Sequence, residues 1–242
     1  MRYAVISDIH SNLEAFKAVM DSLSKDRIDK YICVGDVVGY GADPSMCIKL
    51  LKSLDAEVLI AGNHDWGVLD LLDLEYFNDY AKAAILWTKN MLGQEEKEWL
   101  KKFKIEYEGK EFALVHGTLN EPKEFHYILD ENDAIHTFRL MSAPVCFVGH
   151  SHVAGIFLSD EGVASSVSEQ KVLIDAAKKY VVNVGSVGQP RDGDPRASFA
   201  IYDSEKKEVQ INRVEYDIKS AQKKILDAAL PERLAARLAE GR

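Results

Sequence analysis

The chain has few cysteines, no excess of positive charge and no long apolar run, and each shortage narrows what it can be. Only three cysteines occur in 242 residues, Cys33, Cys47 and Cys146. The odd number and irregular spacing argue against a disulfide framework and fit no zinc motif. Cys33 and Cys146 lie in short apolar runs, Tyr-Ile-Cys-Val and Val-Cys-Phe-Val, where a thiol is expected to act as a small buried core group. The formal net charge is −9, which argues against broad nucleic-acid binding, since neutralising phosphates needs lysine and arginine in excess. A polyanionic small substrate stays open, because bound cations would reverse the local sign. No segment approaches membrane-spanning length. The apolar run at residues 3–6 is too short for a signal peptide, so a cytoplasmic protein with no membrane partner is expected.

What is present is an alternation of short buried strands and amphipathic helices. Residues 2–7 read as a strand. A helix is expected over about 12–24, with Leu13, Phe16, Val19, Met20 and Leu23 at helical spacing and a capping box of Ser11 and Glu14. Tyr31–Val34 reads as a second strand, Pro44 as the start of a second helix, and Glu57–Ala61 as a third strand. This order implies βαβ units and a largely parallel sheet. Residues 66–108 are mostly helical in character. Phe112–Val115 and Val145–Val148 are further strands, separated by residues 118–143, which are expected to form a cap insertion with a helix around 130–141. Beyond 153 the texture changes to short strands at Gly155–Leu158, Val172–Ile174, Tyr180–Val184, Ser198–Tyr202 and Glu208–Val214. They suggest an antiparallel second sheet. The tail, about 217–242, reads as helices whose apolar stripe through Ile225, Leu226, Leu230, Leu234 and Leu238 is expected to dock on the core. There is no repeat, low-complexity segment or linker, so one domain spanning 1–242 is the simplest account.

The chemistry-bearing residues fall where the strands end. Asp8 and His10 follow the first strand, Asp36 the second, and Asn63 and His64 the third. His116 ends the next, and His150 and His152 end the one after it. Ligands of open α/β sheets bind beyond the carboxyl ends of the strands, so these groups are expected to share one crevice. A lone histidine is usually a core ring satisfied by hydrogen bonds. Here five of the seven histidines occupy these ends, leaving only His126 and His136. Histidine nitrogen with carboxylate and amide oxygen suits Mn, Fe, Ni or Zn rather than calcium. Seven such groups are too many for one tetrahedral ion, but they suit two ions sharing a carboxylate, the arrangement used in phosphoryl hydrolysis.

Taken in order, Asp8-x-His10, Gly35-Asp36, Gly62-Asn63-His64-Asp65, His116-Gly117 and Gly149-His150-x-His152 resemble the calcineurin-like metallophosphoesterase superfamily. Asn183-Val184-Gly185-Ser186 looks like a later loop of its small bacterial and archaeal members. The resemblance implies a metallophosphatase fold, a four-layer α/β/β/α sandwich with two central mixed sheets. It implies two divalent ions, one held by Asp8, His10, Asp36 and His152, the other by Asp36, Asn63, His116 and His150. It also implies that His64 faces the scissile phosphate and protonates the departing oxygen. The expected activity is hydrolysis of a phosphomonoester or phosphodiester, in a small phosphorylated substrate, by hydroxide generated at a dinuclear metal centre. The rivals are a non-catalytic metal-binding scaffold on the same fold, a nuclease, or a dinucleoside polyphosphate hydrolase. The chain departs from Ser/Thr protein phosphatases and symmetrical dinucleoside-tetraphosphate hydrolases at Tyr40, where they carry a phosphate-gripping arginine. It also has Gly39 where the protein phosphatases place an aspartate that orients the catalytic histidine. Asp65 could orient His64 instead, or simply serve the helix N-terminus. Arg191 and, less directly, Arg196 are candidates for reaching substrate phosphate. Tyr40 and Trp66 could line the pocket. Oligomeric state and native metal are not set by the sequence.

Overall fold

In the computed structural model, which describes residues 1–242, the alternating pattern becomes two six-stranded sheets with helices outside. The elements in chain order are β1 (Arg2–Ile6), α1 (Leu13–Leu23), β2 (Lys30–Cys33), α2 (Pro44–Ser53), β3 (Val58–Leu59), α3 (Asn63–Val68), α4 (Asp79–Met91) and α5 (Gln94–Leu100). They continue with β4 (Glu106–Glu108), β5 (Ala113–Val115), α6 (Glu131–Leu140), β6 (Val145–Val148), β7 (Gly155–Asp160), β8 (Val163–Val167) and β9 (Lys171–Leu173). The chain closes with β10 (Lys179–Asn183), β11 (Ala197–Asp203), β12 (Glu208–Val214), α7 (Ile218–Asp227) and α8 (Glu232–Glu240).

The first sheet has the order β3-β2-β1-β11-β12-β9 and the second β4-β5-β6-β10-β7-β8. The late strands therefore do not make a sheet of their own, as their texture suggested. β11 pairs antiparallel with β1, while β10 pairs parallel with β6. The first sheet thus joins a parallel half, β3-β2-β1, to an antiparallel half, β11-β12-β9, whereas in the second a parallel centre, β5-β6-β10, is flanked by antiparallel pairings of β4 with β5 and of β7 with β10 and β8. The reason is edge satisfaction. β1 and β6 each have one side occupied by an early strand, and the free side would leave a row of buried N–H and C=O groups unpaired.

Period-two alternation sorts the core. Tyr3 and Val5, Ile32 and Val34, Phe112 and Leu114, Val145 and Phe147, and Tyr180 and Val182 point between the sheets. Their neighbours Ala4, Ile6 and Cys33 face the helices of the first outer layer, with Phe16, Val19, Ile48 and Leu51. On the opposite side Ala113, Val115, Cys146, Val148 and Val181 pack against Ala134 and Phe138 of α6. The three cysteines are free and buried. No helix is long and apolar enough to cross a membrane.

Local signals are mostly, but not all, used as read. Pro44 opens α2. The capping box of Ser11 and Glu14 is not formed. Asn12 caps α1, its Oδ1 accepting from Ala15 N at 3.1 Å, and Glu14 pairs instead with Lys224 of α7 at 2.6 Å. Ser11 is excluded as a cap because it sits at φ 56°, in the left-handed turn that follows β1. β8 carries no sequence signal: only Ala164 and Val167 of Val163–Val167 are even half-buried, and they do not alternate. The C-terminal helices dock on the core through Ile225, Leu230, Leu234 and Leu238, beside Tyr40. Leu226 lies outside this stripe and is exposed.

Candidate metal centre

Every strand-end residue singled out in the sequence is buried, and they meet at one end of the two sheets. Metal-capable atoms of Asp8, His10 and His152 lie within 4.8 Å of one another, as do those of Asp36, His116 and His150, and those of His10, Asp36 and His64. Between these groups the contacts are continuous. His152 Nε2 is 3.0 Å from Asp8 Oδ1 and 3.0 Å from His10 Nε2. His10 Nε2 is 3.6 Å from both Asp8 Oδ1 and Asp36 Oδ2, and His116 Nε2 is 3.2 Å from Asp36 Oδ2. Asp36 therefore lies between the two sets.

The backbone aims these side chains. Five of the seven residues, Asp8, His10, Asp36, His150 and His152, have φ between 48° and 65°, a left-handed conformation that non-glycine residues seldom adopt. Each costs about 1 kcal/mol or more and persists only where surrounding bonds fix it. Those bonds are present. Asp8 N donates to Gly35 O at 2.9 Å, His10 N to Asp36 O at 3.0 Å, and His150 N to Asp8 Oδ2 at 3.1 Å. Gly35 permits a further close approach, since a Cβ there would stand 2.5 Å from His116 Nδ1.

Three of the imidazoles are set by main-chain carbonyls. Nδ1 of His10 faces Val38 O at 3.1 Å, that of His116 faces Val34 O at 2.7 Å, and that of His152 faces Gln189 O at 2.6 Å. A carbonyl only accepts, so each Nδ1 carries the proton and leaves the Nε2 lone pair pointing inward, as a metal requires. The Asn183–Ser186 segment has the same supporting function. Asn183 Nδ2 donates to Gly149 O and Ser151 Oγ, both at 2.8 Å, and Ser186 Oγ donates to Asp8 O at 2.8 Å. Gln189 is not singled out by the sequence. Its contribution is a backbone carbonyl, which side-chain identity does not reveal.

Electrostatics agree with a cation site. Burial alone would raise both carboxyls, yet His152 and His116 hold Asp8, and His116 and His64 hold Asp36, well below the usual carboxylate range. Burial opposes a charge on His116, but Asp36 and Asp8 override it and raise the ring to about 9. Burial pushes His150 and His152 down to about 3, helped by His116 and Arg191 respectively. Ionised carboxylates beside the neutral imidazoles of His150 and His152 are the protonation states that ligation needs, whereas His116, held protonated by the two carboxylates in the metal-free centre, would have to release its proton to a cation. Asn63 Oδ1 and His150 Nε2 are buried without any hydrogen-bond partner, a costly condition that a cation would relieve. The donor set therefore fits divalent metal.

A cleft of ≈ 490 Å³ opens over the centre, lined by Asp36, Tyr40, His64, Phe77, Tyr127 and Arg191 among others. His64 is buried, its ring 4.4 Å from Tyr40 and 5.3 Å from Phe77 between centroids, and its Nδ1 has no partner. Asp65 does not orient it. Asp65 Oδ1 accepts from Val37 N and Val38 N at 3.0 and 3.3 Å, and Oδ2 from Gly62 N at 3.0 Å, so it braces two ligand loops. Of residues 118–143, α6 packs against β7, β8 and β10 in the outer layer. The preceding loop delivers Tyr127, which stacks on His150 at 4.1 Å and 9°. His126 and His136 are exposed. Trp66 packs on Phe125 rather than lining the cleft. Arg196 is paired with Asp194 at 2.6 Å, whereas Arg191 reaches the cleft.

The sequence profile of the calcineurin-like phosphoesterase superfamily domain matches residues 1–207, and the chain belongs to that superfamily. It is 42% identical to the uncharacterized protein MJ0912 of Methanocaldococcus jannaschii, over 99% of this chain and 98% of that protein. The crystal structure of a metallophosphoesterase from Sphaerobacter thermophilus superposes with a TM-score of 0.88 at 36% identity, covering 100% of this chain and 99% of that one. The crystal structure of the hypothetical protein PH1004 from Pyrococcus horikoshii shares the fold, with a TM-score of 0.82 at 24% identity over 100% and 98% of the two chains.

Proposed function

We propose that the protein is a two-metal phosphoesterase that hydrolyses a phosphomonoester or phosphodiester in a small phosphorylated substrate. The observation that carries the reading is the position of Asp36. Its Oδ2 faces His116 and His10, members of the two ligand groups, and its Oδ1 accepts from His64 N at 2.8 Å. One carboxylate thus joins both ligand sets to the candidate acid.

In this reading Asp8, His10, Asp36 and His152 hold one ion, and Asp36, Asn63, His116 and His150 hold the other, with Mn, Fe, Ni or Zn as occupants suited to the donors. Two such ions supply a nucleophile ionised near neutral pH and neutralise charge on the phosphoryl oxygens. His64 donates a proton to the departing ester oxygen. Its enclosure by Tyr40 and Phe77 excludes water from that proton. Burial holds the ring pKa well below its ordinary value, so the transferred proton is one that bound phosphate must first stabilise. Arg191 binds a non-bridging oxygen. Tyr127 shields the outer face of His150.

The test is turnover of para-nitrophenyl phosphate and bis-para-nitrophenyl phosphate by metal-stripped protein with Mn, Fe, Ni or Zn restored, for wild type and His64→Ala. Metal-dependent hydrolysis that falls about a hundredfold in the variant, at unchanged metal content, is the expected result. Two bound ions with no turnover of either ester would favour the scaffold reading.

A further inference from the structure

Four aromatic rings line the cleft, Tyr40, Tyr76, Phe77 and Tyr127, and they divide into two kinds. Tyr40 and Phe77 are engaged by the centre itself. Tyr40 is buried, its ring 4.5 Å from His10 and 4.4 Å from His64 between centroids, with the Arg191 guanidinium 5.4 Å from its own centroid. Phe77 meets the His64 ring at 5.3 Å and 70°. Tyr76 and Tyr127, by contrast, are each 49% exposed.

One face of Tyr127 lies flat on His150, at 4.1 Å and 9°. That face is closed, so the exposure of the ring belongs to its other face and its edge. A ring backed on one side and open on the other suits a second flat ring, since aromatic pairs gain from offset parallel stacking. The ring is also held in place before anything binds. Phe125 and Ile128 bracket it and are buried, and Phe125 packs edge-on against Trp66 at 5.3 Å and 88°. Tyr76 Oη donates to Glu124 O, three residues before Tyr127, so the second exposed ring braces the same loop. A surface fixed in advance loses less entropy when it takes up a ligand.

We propose that the free face of Tyr127, braced by Tyr76, is a stacking platform for the base of a nucleoside phosphate. The inference rests on the phosphoesterase reading and narrows its substrate class to phosphate esters of nucleosides. Tyr127 itself separates a ring stacked on its free face from His150, and so from the ion that His150 would hold. The flat group must therefore be set back from the reacting phosphate by a spacer, as ribose sets back a base. Stacking is tolerant of base identity, because every base has a π-face. The platform thus selects for the presence of a base rather than for one base.

Matched probes with and without the base test this by calorimetry on metal-loaded protein. They are the phosphonate analogues of adenosine 5′-phosphate and of ribose 5-phosphate, in which a CH2 group replaces the ester oxygen so that neither is hydrolysed. In wild type the base should improve affinity by about tenfold, the size of one base–aromatic stack. In Tyr127→Leu the ratio should fall below about threefold, whereas Tyr127→Phe should keep it. Both probes carry the same phosphonate, so any general weakening of the centre in a variant cancels in the ratio. A wild-type ratio near one, a ratio untouched by Tyr127→Leu, or one lost equally in Tyr127→Phe would overturn the platform. A gain for phenylphosphonate over methylphosphonate without a gain in the nucleoside pair would overturn the spacer and the nucleoside class with it. Absence of ester turnover would count against the phosphoesterase reading alone, because the calorimetric ratio is read without turnover.

Discussion

Gly39 lies against His64 so closely that a Cβ added there would stand 2.4 Å from His64 Nδ1. Its φ of 97° is also one that side-chain-bearing residues rarely adopt. Gly39→Ala should displace His64 while leaving the ligands in place. The expectation is a kcat lowered more than about tenfold, since small misplacements of a reacting group are costly, with two ions still bound per chain by elemental analysis. A kcat within about twofold of wild type would show that His64 is not held by this contact.

Asp65 contributes through stability rather than chemistry. Its carboxylate collects three buried main-chain N–H groups from Val37, Val38 and Gly62. Asp65→Ala would leave all three without an acceptor, and should lower unfolding free energy by about 2 kcal/mol or more. For a chain of this size the melting midpoint should drop by about 4–8 °C. An unchanged midpoint would mean that water replaces the carboxylate.

The metal-free protein should be acid-sensitive in a window set by the centre. His150 and His152, with pKa values pushed to about 3, stay neutral in the fold while the unfolded chain protonates them. Burial depresses His64 in the same direction. Burial and Asp36 raise Asp65 to about 7, so there the folded state binds the extra proton. Three groups against one leaves unfolding with a net uptake of protons between about pH 4 and 6.5. Stability therefore falls as pH is lowered through this range, by about 1.4 kcal/mol per pH unit for each net proton. His116 acts oppositely: raised to about 9, it contributes fully below pH 6.5 and loses that contribution as pH rises to 9. Denaturant titrations of chelated protein should place the optimum between these limbs. A monotonic rise in stability from pH 5 to 9 would contradict the assignment of His116.

Much of the centre is legible in the sequence because its side chains are declared by type and by place. A strand ending in Gly-Asp or Gly-His-x-His announces both the turn and the ligand. The supports are less visible. Val34, Val38 and Gln189 act through carbonyls, which every residue possesses, so nothing in their side chains marks them. Tyr127 comes from a loop without periodicity, and its stacking on His150 depends on a meeting that only the fold arranges. The late strands other than β8 are legible individually, but their distribution between two sheets is not. Pairing partners at such sequence separations are chosen by which edges remain open. The capping of α1 failed for a related reason: the turn after β1 puts Ser11 in a left-handed conformation, and Asn12 takes its place.

The carbonyl of Gln189 that orients His152 and the β11 strand that flanks β1 both come from the last third of the chain. During synthesis all seven candidate ligands leave the ribosome by residue 152, well before either support exists. A nascent chain therefore exposes a cluster of competent donors with no geometry to choose among ions. Selectivity between metals can arise only when residues up to about 203 have emerged and closed the first sheet. If the centre holds metal as proposed, strand order sets the timing, and selective capture belongs to the end of folding rather than its beginning.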